Sequence, residues 1–196
     1  MRCSLVAVVV AGSAASCAPR PAAPESPRFV SVTLVGATVA PAKFDGTQWD
    51  GTESISSQVM SSLRTALDLS DPASAAARVL TGPAMRGIEK PEPKGTATLI
   101  ANGVPDQRMR LAAQRDTFTP IWRGPPTWRH VPLSHDVRLR VELFDDDFAF
   151  DDPIGTFELG QDDFMAALRS GHVHQVRVDE QTNRQVLFAG ISVTAE

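Results

Sequence analysis

LFDDDFAFDDPIG, residues 143–155, sets five aspartates in eight positions between two apolar runs, DVRLRVELF (136–144) and GTFELG (155–160). The flanking runs alternate as strands do, so the acidic stretch is a connection between two of them. Carboxylates crowded this closely repel one another unless a cation or water screens them. The connection is therefore either a hydrated acidic turn or a cation site.

Working outward, the same strand signal recurs. FVSVTLVGATV (29–39) places Phe29, Val30, Val32 and Leu34, and then Val35, Ala37 and Val39, on a strand with one face buried and the other partly covered. GTATLIANG (95–103) and QRMRLAAQ (107–114) pair as a hairpin, with Val104-Pro105-Asp106 near its turn. WRHVPL, HQVRV and RQVLFAGISVT complete a set of about eight short strands at close spacing, which predicts an all-β, eight-stranded antiparallel β-sandwich.

Two helical segments interrupt this rhythm. ISSQVMSSLRTALDL (55–69) carries Ile55, Val59, Leu63 and Leu67 on one helical stripe with Met60 beside it. Ser70-Asp71-Pro72 then caps a short helix running to Leu80 before Gly82, and PAMRGIEKPEPKG returns as a loop to the sheet. The insertion so defined covers about 53–94. DDFMAALRSG (162–171) is a short helix near the C-terminus, ending at Gly171.

The 196 residues, 42% hydrophobic and 21% charged, suit one globular domain. A formal net charge of -4 does not suggest a nucleic-acid partner. MRCSLVAVVVAGSAASC begins with a positive Arg2, runs apolar from Leu5 to Val10 and ends in small residues before Cys17, the pattern of an export signal. Ala14-Ala15-Ser16-Cys17 resembles the lipobox of bacterial lipoproteins, with Ala14 where Leu is commonest. That resemblance implies a signal peptide of 1–16 and a lipidated Cys17. The alternative is plain signal cleavage without lipid. Cleavage would leave Cys17 as the sole cysteine, with no intramolecular disulfide possible. APRPAAPESP (18–27), with four prolines, is a semi-rigid tether of about 30 Å. The domain follows as 28–196. The expected location is the bacterial cell envelope, as an outer-membrane lipoprotein facing the periplasm or exposed at the surface.

DTFTPIW, LRVELFDDD and DDPIG together resemble the C2 domain family through Thr117, Pro120, Trp122, Asp145, Asp147, Asp152 and Gly155. VTLVGATV followed by AKFDGTQWDG is similar to that family's first strand and first calcium loop, contributing Asp45 and Asp50. Both loops are one residue shorter than the commonest form, and Asp50-Gly51 leads into the helical insertion where Asp-Pro-Tyr is usual. The resemblance implies a C2-like sandwich over 28–196, a Ca²⁺ cofactor and a phospholipid or envelope-protein partner. Its metal ligands would be Asp45, Asp50, Asp145, Asp147 and Asp152.

The residues themselves suit that chemistry. Ca²⁺ takes six to eight oxygens in flexible geometry, and carboxylates on converging loops supply them. On an extended backbone, Asp145 and Asp147 face one way and Asp146 the other. An EF-hand is excluded, because counting from Asp145 puts no glycine at position six and no glutamate at position twelve. Phe148 and Phe150 share one side of the acidic loop. They either dip into a bilayer interface or fold back over the sandwich end. His172 and His174 share a strand face without further ligands nearby and are surface histidines. Trp49, Trp122 and Trp128 are core or loop anchors. The motifs of serine hydrolases, zinc proteases, dinucleotide sites and phosphate loops are absent from the sequence, and a non-enzymatic binding module is expected. The rival to lipid attachment is a scaffold that docks a protein through the helical insertion.

Overall fold

A computed structural model describes residues 29–147, 151–179, 181–183 and 185–196. The expected leader, Cys17, the Pro-rich tether, Phe148 and Phe150 lie outside these residues. Eight strands form two antiparallel sheets. β1 (Phe29–Val39), β4 (Thr127–Pro132), β7 (His174–Arg177) and β8 (Val186–Ala195) lie in the order β4-β1-β8-β7. β2 (Pro93–Ala101), β3 (Val104–Leu111), β5 (Arg138–Asp145) and β6 (Asp152–Gly160) lie in the order β3-β2-β5-β6. The fold is an eight-stranded antiparallel β-sandwich with helices after β1 and near the C-terminus.

Alternation along β5 buries Leu139, Val141 and Leu143 and turns Arg138 and Arg140 outward. In β1 the register shifts between Leu34 and Gly36, which explains the change of phase in its sequence. A Cβ on Gly36 would meet the Pro120 carbonyl oxygen at 2.5 Å, so only glycine lets the 118–122 segment lie this close. That segment pairs with the end of β1. The Ala37 N–H donates to Pro120 O at 3.0 Å, Val39 N–H to Phe118 O at 2.7 Å, and Trp122 N–H to Val35 O at 3.1 Å.

All three tryptophans are buried. Each indole N–H donates to a backbone carbonyl, Trp49 to Ala40, Trp122 to Ala112 and Trp128 to Gln107. Burial without loss of the N–H partner makes each an anchor for a connecting segment. The β2–β3 turn differs from expectation. It lies at Asn102-Gly103, and Val104-Pro105-Asp106 open β3 instead. Gly103 supplies the left-handed turn position at φ +76°, and Pro105 is tolerated because β3 is an edge strand.

The insertion forms α1 (Ser57–Leu67) and α2 (Pro72–Thr81). Val59 and Leu63 bury the α1 stripe in the main core, while Met60 is 41% exposed. The Asp71 carboxylate accepts from Ser74 N–H and Pro72 takes the first helical position, which fixes where α2 starts. α3 (Gln161–Ser170) opens with the Gly160 N–H donating to Asp163 and closes at Gly171, φ +67°. His172 is exposed and its Nδ1 lies 2.6 Å from the Ser170 carbonyl oxygen.

Trp128→Ala is expected to destabilise the sandwich by about 3–5 kcal/mol, because it opens a core cavity and orphans the Gln107 carbonyl. Urea unfolding checks it through the midpoint.

Candidate metal centre

The site is built where β2, β5 and β6 reach the same end of their sheet. Asp145 closes β5, opposite Asp152 at the start of β6 and Pro93 at the start of β2. Register thus brings the two ends of the acidic connection together. The Glu92 N–H donates to Asp145 Oδ1 at 2.6 Å and the Asp146 N–H donates to Glu92 O at 3.1 Å, which locks the approach to β2 against the acidic turn.

Asp50 arrives from the loop after β1. A bridge between Thr47 and Ser54 and a hydrogen bond from Gln48 N–H to Glu53 O tighten residues 47–54 into a small hairpin. Trp49 anchors it beneath, and Gln48 Oε1 accepts from Glu89 N–H at 2.9 Å. One carboxylate oxygen each from Asp50, Asp145 and Asp147 then lies within 4.8 Å of the others.

Asp45 and Asp152 are placed differently. Asp45 is exposed and its Oδ1 accepts from both the N–H and the hydroxyl of Thr47, which hold its carboxyl below the usual range. It is not in the three-carboxylate group. Asp152 Oδ2 receives the ammonium of Lys43 at 2.5 Å. Asp146 turns away to Lys94, whose Nζ lies 2.5 Å from Asp146 Oδ1 and 2.8 Å from Asp151 Oδ1.

Asp145 is the unusual member. It is completely buried, and among the described residues its Oδ2 has no hydrogen-bond partner. A buried, unpaired acceptor costs on the order of 1–3 kcal/mol, more when ionised. Desolvation, opposed by the Glu92 N–H and reinforced by the charges of Asp147 and Asp50, pushes its pKa up to about 7. Burial, the adjacent Asp50 carboxylate and the charge of Asp152 raise Asp147 as well. A divalent cation at the centre of the three would give the buried Asp145 carboxylate a partner of opposite charge and relieve the repulsion at once. Hard oxygen donors of this kind suit Ca²⁺, and backbone oxygens and water can complete its shell.

Sequence reasoning missed Lys43, Lys94, Glu92 and Phe44. Lys43 lies two residues from Asp45, so the AKFDG string did display it. Lys94 and Glu92 are about fifty residues from the acids they bind, with no local signal. Phe44 is 83% exposed on the first loop, and turning the Gln185 amide to suit its neighbours lets its oxygen accept from the Phe44 N–H at 2.7 Å while its nitrogen donates to the carbonyls of Pro153 and Ile154.

No family model matches the chain, and no curated protein matches it. Among solved structures, it is similar to a C2 domain of plant Extended Synaptotagmin 1, at TM-score 0.42 and 11% identity over 88% of this chain and 98% of that one. It is similar to the calcium-bound tandem C2 domains of Extended-Synaptotagmin 2, at TM-score 0.44 and 13% identity, covering 86% of this chain and 46% of that one. It is also similar to human GIVD cytosolic phospholipase A2, at TM-score 0.41 and 11% identity, over 88% of this chain and 16% of that one. Likeness at this level decides nothing about the site, which stands on its own geometry.

Asp145 gives the metal-free fold a pH dependence. Unfolded, its carboxyl has the ordinary value of 3.8, whereas in the fold it holds its proton up to about 7. Across that window the folded chain binds more protons, so this group's contribution to stability falls as pH rises. In chelator, denaturant unfolding is expected to show that fall between the two values. Asp145→Asn should flatten it.

Proposed function

We propose that this chain is a non-enzymatic, calcium-binding, C2-like module of an envelope lipoprotein that attaches to anionic lipid headgroups. The observation that carries the reading is the convergence of carboxylate oxygens from Asp50, Asp145 and Asp147, with Asp145 buried and its Oδ2 without a hydrogen-bond partner among the described residues. The C2 resemblance in 116–155 and the sandwich architecture agree with it. Asp50, Asp145 and Asp147 would hold the ion. Asp152 stands beside them on Lys43, and Asp45 belongs to its own turn.

Calcium would cancel the repulsion between the acidic loops and anionic headgroups. Phe44, exposed on the first loop, and Phe148 and Phe150 from the acidic loop would then bury apolar area, about 1.5 kcal/mol or more for each ring fully inserted. Arg108 and Arg110, exposed on β3, add positive charge on the face of the same sheet that carries Lys94. A lipid chain on Cys17 and a tether reaching about 30 Å would make this second contact act at high effective concentration. A second reading has one observation behind it. Met60 and Leu69 are exposed on and just beyond α1, where a protein partner could dock. Single exposed apolar residues are ordinary on protein surfaces, so lipid attachment is preferred.

Calcium at a hundredfold excess over its dissociation constant should stabilise the fold by about 2.7 kcal/mol. Asp147→Asn should remove most of that gain. A melting temperature indifferent to both calcium and chelator would end the metal reading. The full chain carrying Cys17→Ser should cosediment with anionic vesicles only when calcium is present, and Phe44→Ala should weaken the retention. Calcium binding without vesicle retention would instead favour the protein-docking role.

The lipid anchor is tested separately. Cys17→Ser should abolish metabolic labelling with palmitate, and labelling that persists would remove the lipoprotein assignment.

A further inference from the structure

Six aspartates crowd this end of the sandwich, and two lysines divide them. Lys94 takes Asp146 and Asp151, at 2.5 and 2.8 Å. Lys43 takes Asp152 at 2.5 Å, and Asp147 and Asp145 also act on its ammonium. Burial works against the charge on Lys43, but the hydrogen bond to Asp152 and the surrounding carboxylates outweigh it, so the ammonium is held firmly ionised. Of the six acids at the ends of β5 and β6 and at Asp50, those without a lysine partner among the described residues are Asp50, Asp145 and Asp147, while Asp45 is held by Thr47. These three are the group whose oxygens converge, and Asp145 among them is buried, its Oδ2 without a partner among the described residues.

We propose that Lys43 is a tethered counter-ion occupying the cation position beside Asp152, so that the centre takes one divalent cation and Lys43 sets how tightly it binds. This rests on the calcium reading above. The physical reason is electrostatic competition. A positive charge already held among the carboxylates lowers the local potential that attracts a metal ion, and it claims the Asp152 oxygen that a second ion would need. Because the ammonium is attached to the loop after β1, it cannot be washed out or exchanged as a free ion can. It also stabilises the apo loops that would otherwise repel, at the cost of metal affinity.

The test is a calorimetric titration of the full chain with calcium chloride, with Lys43→Gln and Lys43→Arg beside the wild type. One calcium per chain is expected for the wild type. Lys43→Gln should bind about tenfold more tightly or take a second ion, because it frees Asp152 and removes the competing charge. Its metal-free melting temperature should fall while the increment added by calcium grows. Lys43→Arg keeps the charge and should match the wild-type stoichiometry. Two ions on the wild type, or an unchanged titration for Lys43→Gln in a folded protein, would overturn the counter-ion role and leave calcium binding standing. Binding by Lys43→Gln alone would mean that the ammonium fills the centre outright, which overturns the single-cation centre proposed here together with the calcium reading for the native chain. Binding by neither protein would remove both.

Discussion

A carboxylate that water cannot reach must find its partners inside the protein, and Asp145 has found only one. Its Oδ1 is met by the Glu92 N–H, and among the described residues its Oδ2 is met by nothing. The arrangement around it follows from that shortfall. Pairing of β5 with β2 and β6 forces the side chain inward, because alternation along β5 buries every second residue through to its last. An apolar residue would serve the sandwich better at this place. Retaining an acid here stores a cost in the apo fold that a cation would relieve.

The surrounding charges show how that cost is contained. Neutralising all six aspartates would need six positive charges, and the fold supplies two ammonium groups. They sit on the outer acids, Asp146, Asp151 and Asp152, where partial exposure keeps the desolvation penalty of pairing small. The inner three are left to repel. Asp145 responds by holding a proton to about pH 7, and the pKa of Asp147 rises with it. Proton and metal therefore compete for the same oxygens, so a site of this kind binds its ion more weakly as pH falls.

Much of this was legible in the sequence because it is encoded locally. Period-two runs marked the strands, and Asp71-Pro72 and Gly171 marked helix ends. The five aspartates between β5 and β6 announced their own loop. Two of the five expected ligands are engaged by partners that their spacing does not show, one close in sequence and one distant. Asp45 has the spacing of a ligand, and Thr47, two residues away, donates to its Oδ1, a local hydrogen bond that competes with a longer-range role. Asp152 also looks like a ligand, yet Lys43, 109 residues earlier, meets it across the loops. Pairings of that separation leave no periodicity to read. The β2–β3 turn was displaced for a smaller reason. Asn102-Gly103 is the stronger turn signal, and Pro105 fits an edge strand without breaking it.

The helical insertion gains a structural meaning from the same geometry. Asp50 is carried by a hairpin that has no place in either sheet, so something other than ladder hydrogen bonds must hold it. Trp49 packs into the core from below and donates to Ala40 O. From the far side, Gln48 Oε1 accepts the N–H of Glu89, in the segment by which the insertion returns to β2. α1 and α2 reach the same core through Val59, Leu63, Ala76 and Leu80, so that return segment is fixed to a rigid body. Three residues beyond Glu89, Glu92 donates to Asp145. The insertion thus leaves the first loop next to Asp50 and comes back through the segment that grips Asp145. It holds two of the three converging carboxylates in register through backbone hydrogen bonds, without contributing a ligand of its own.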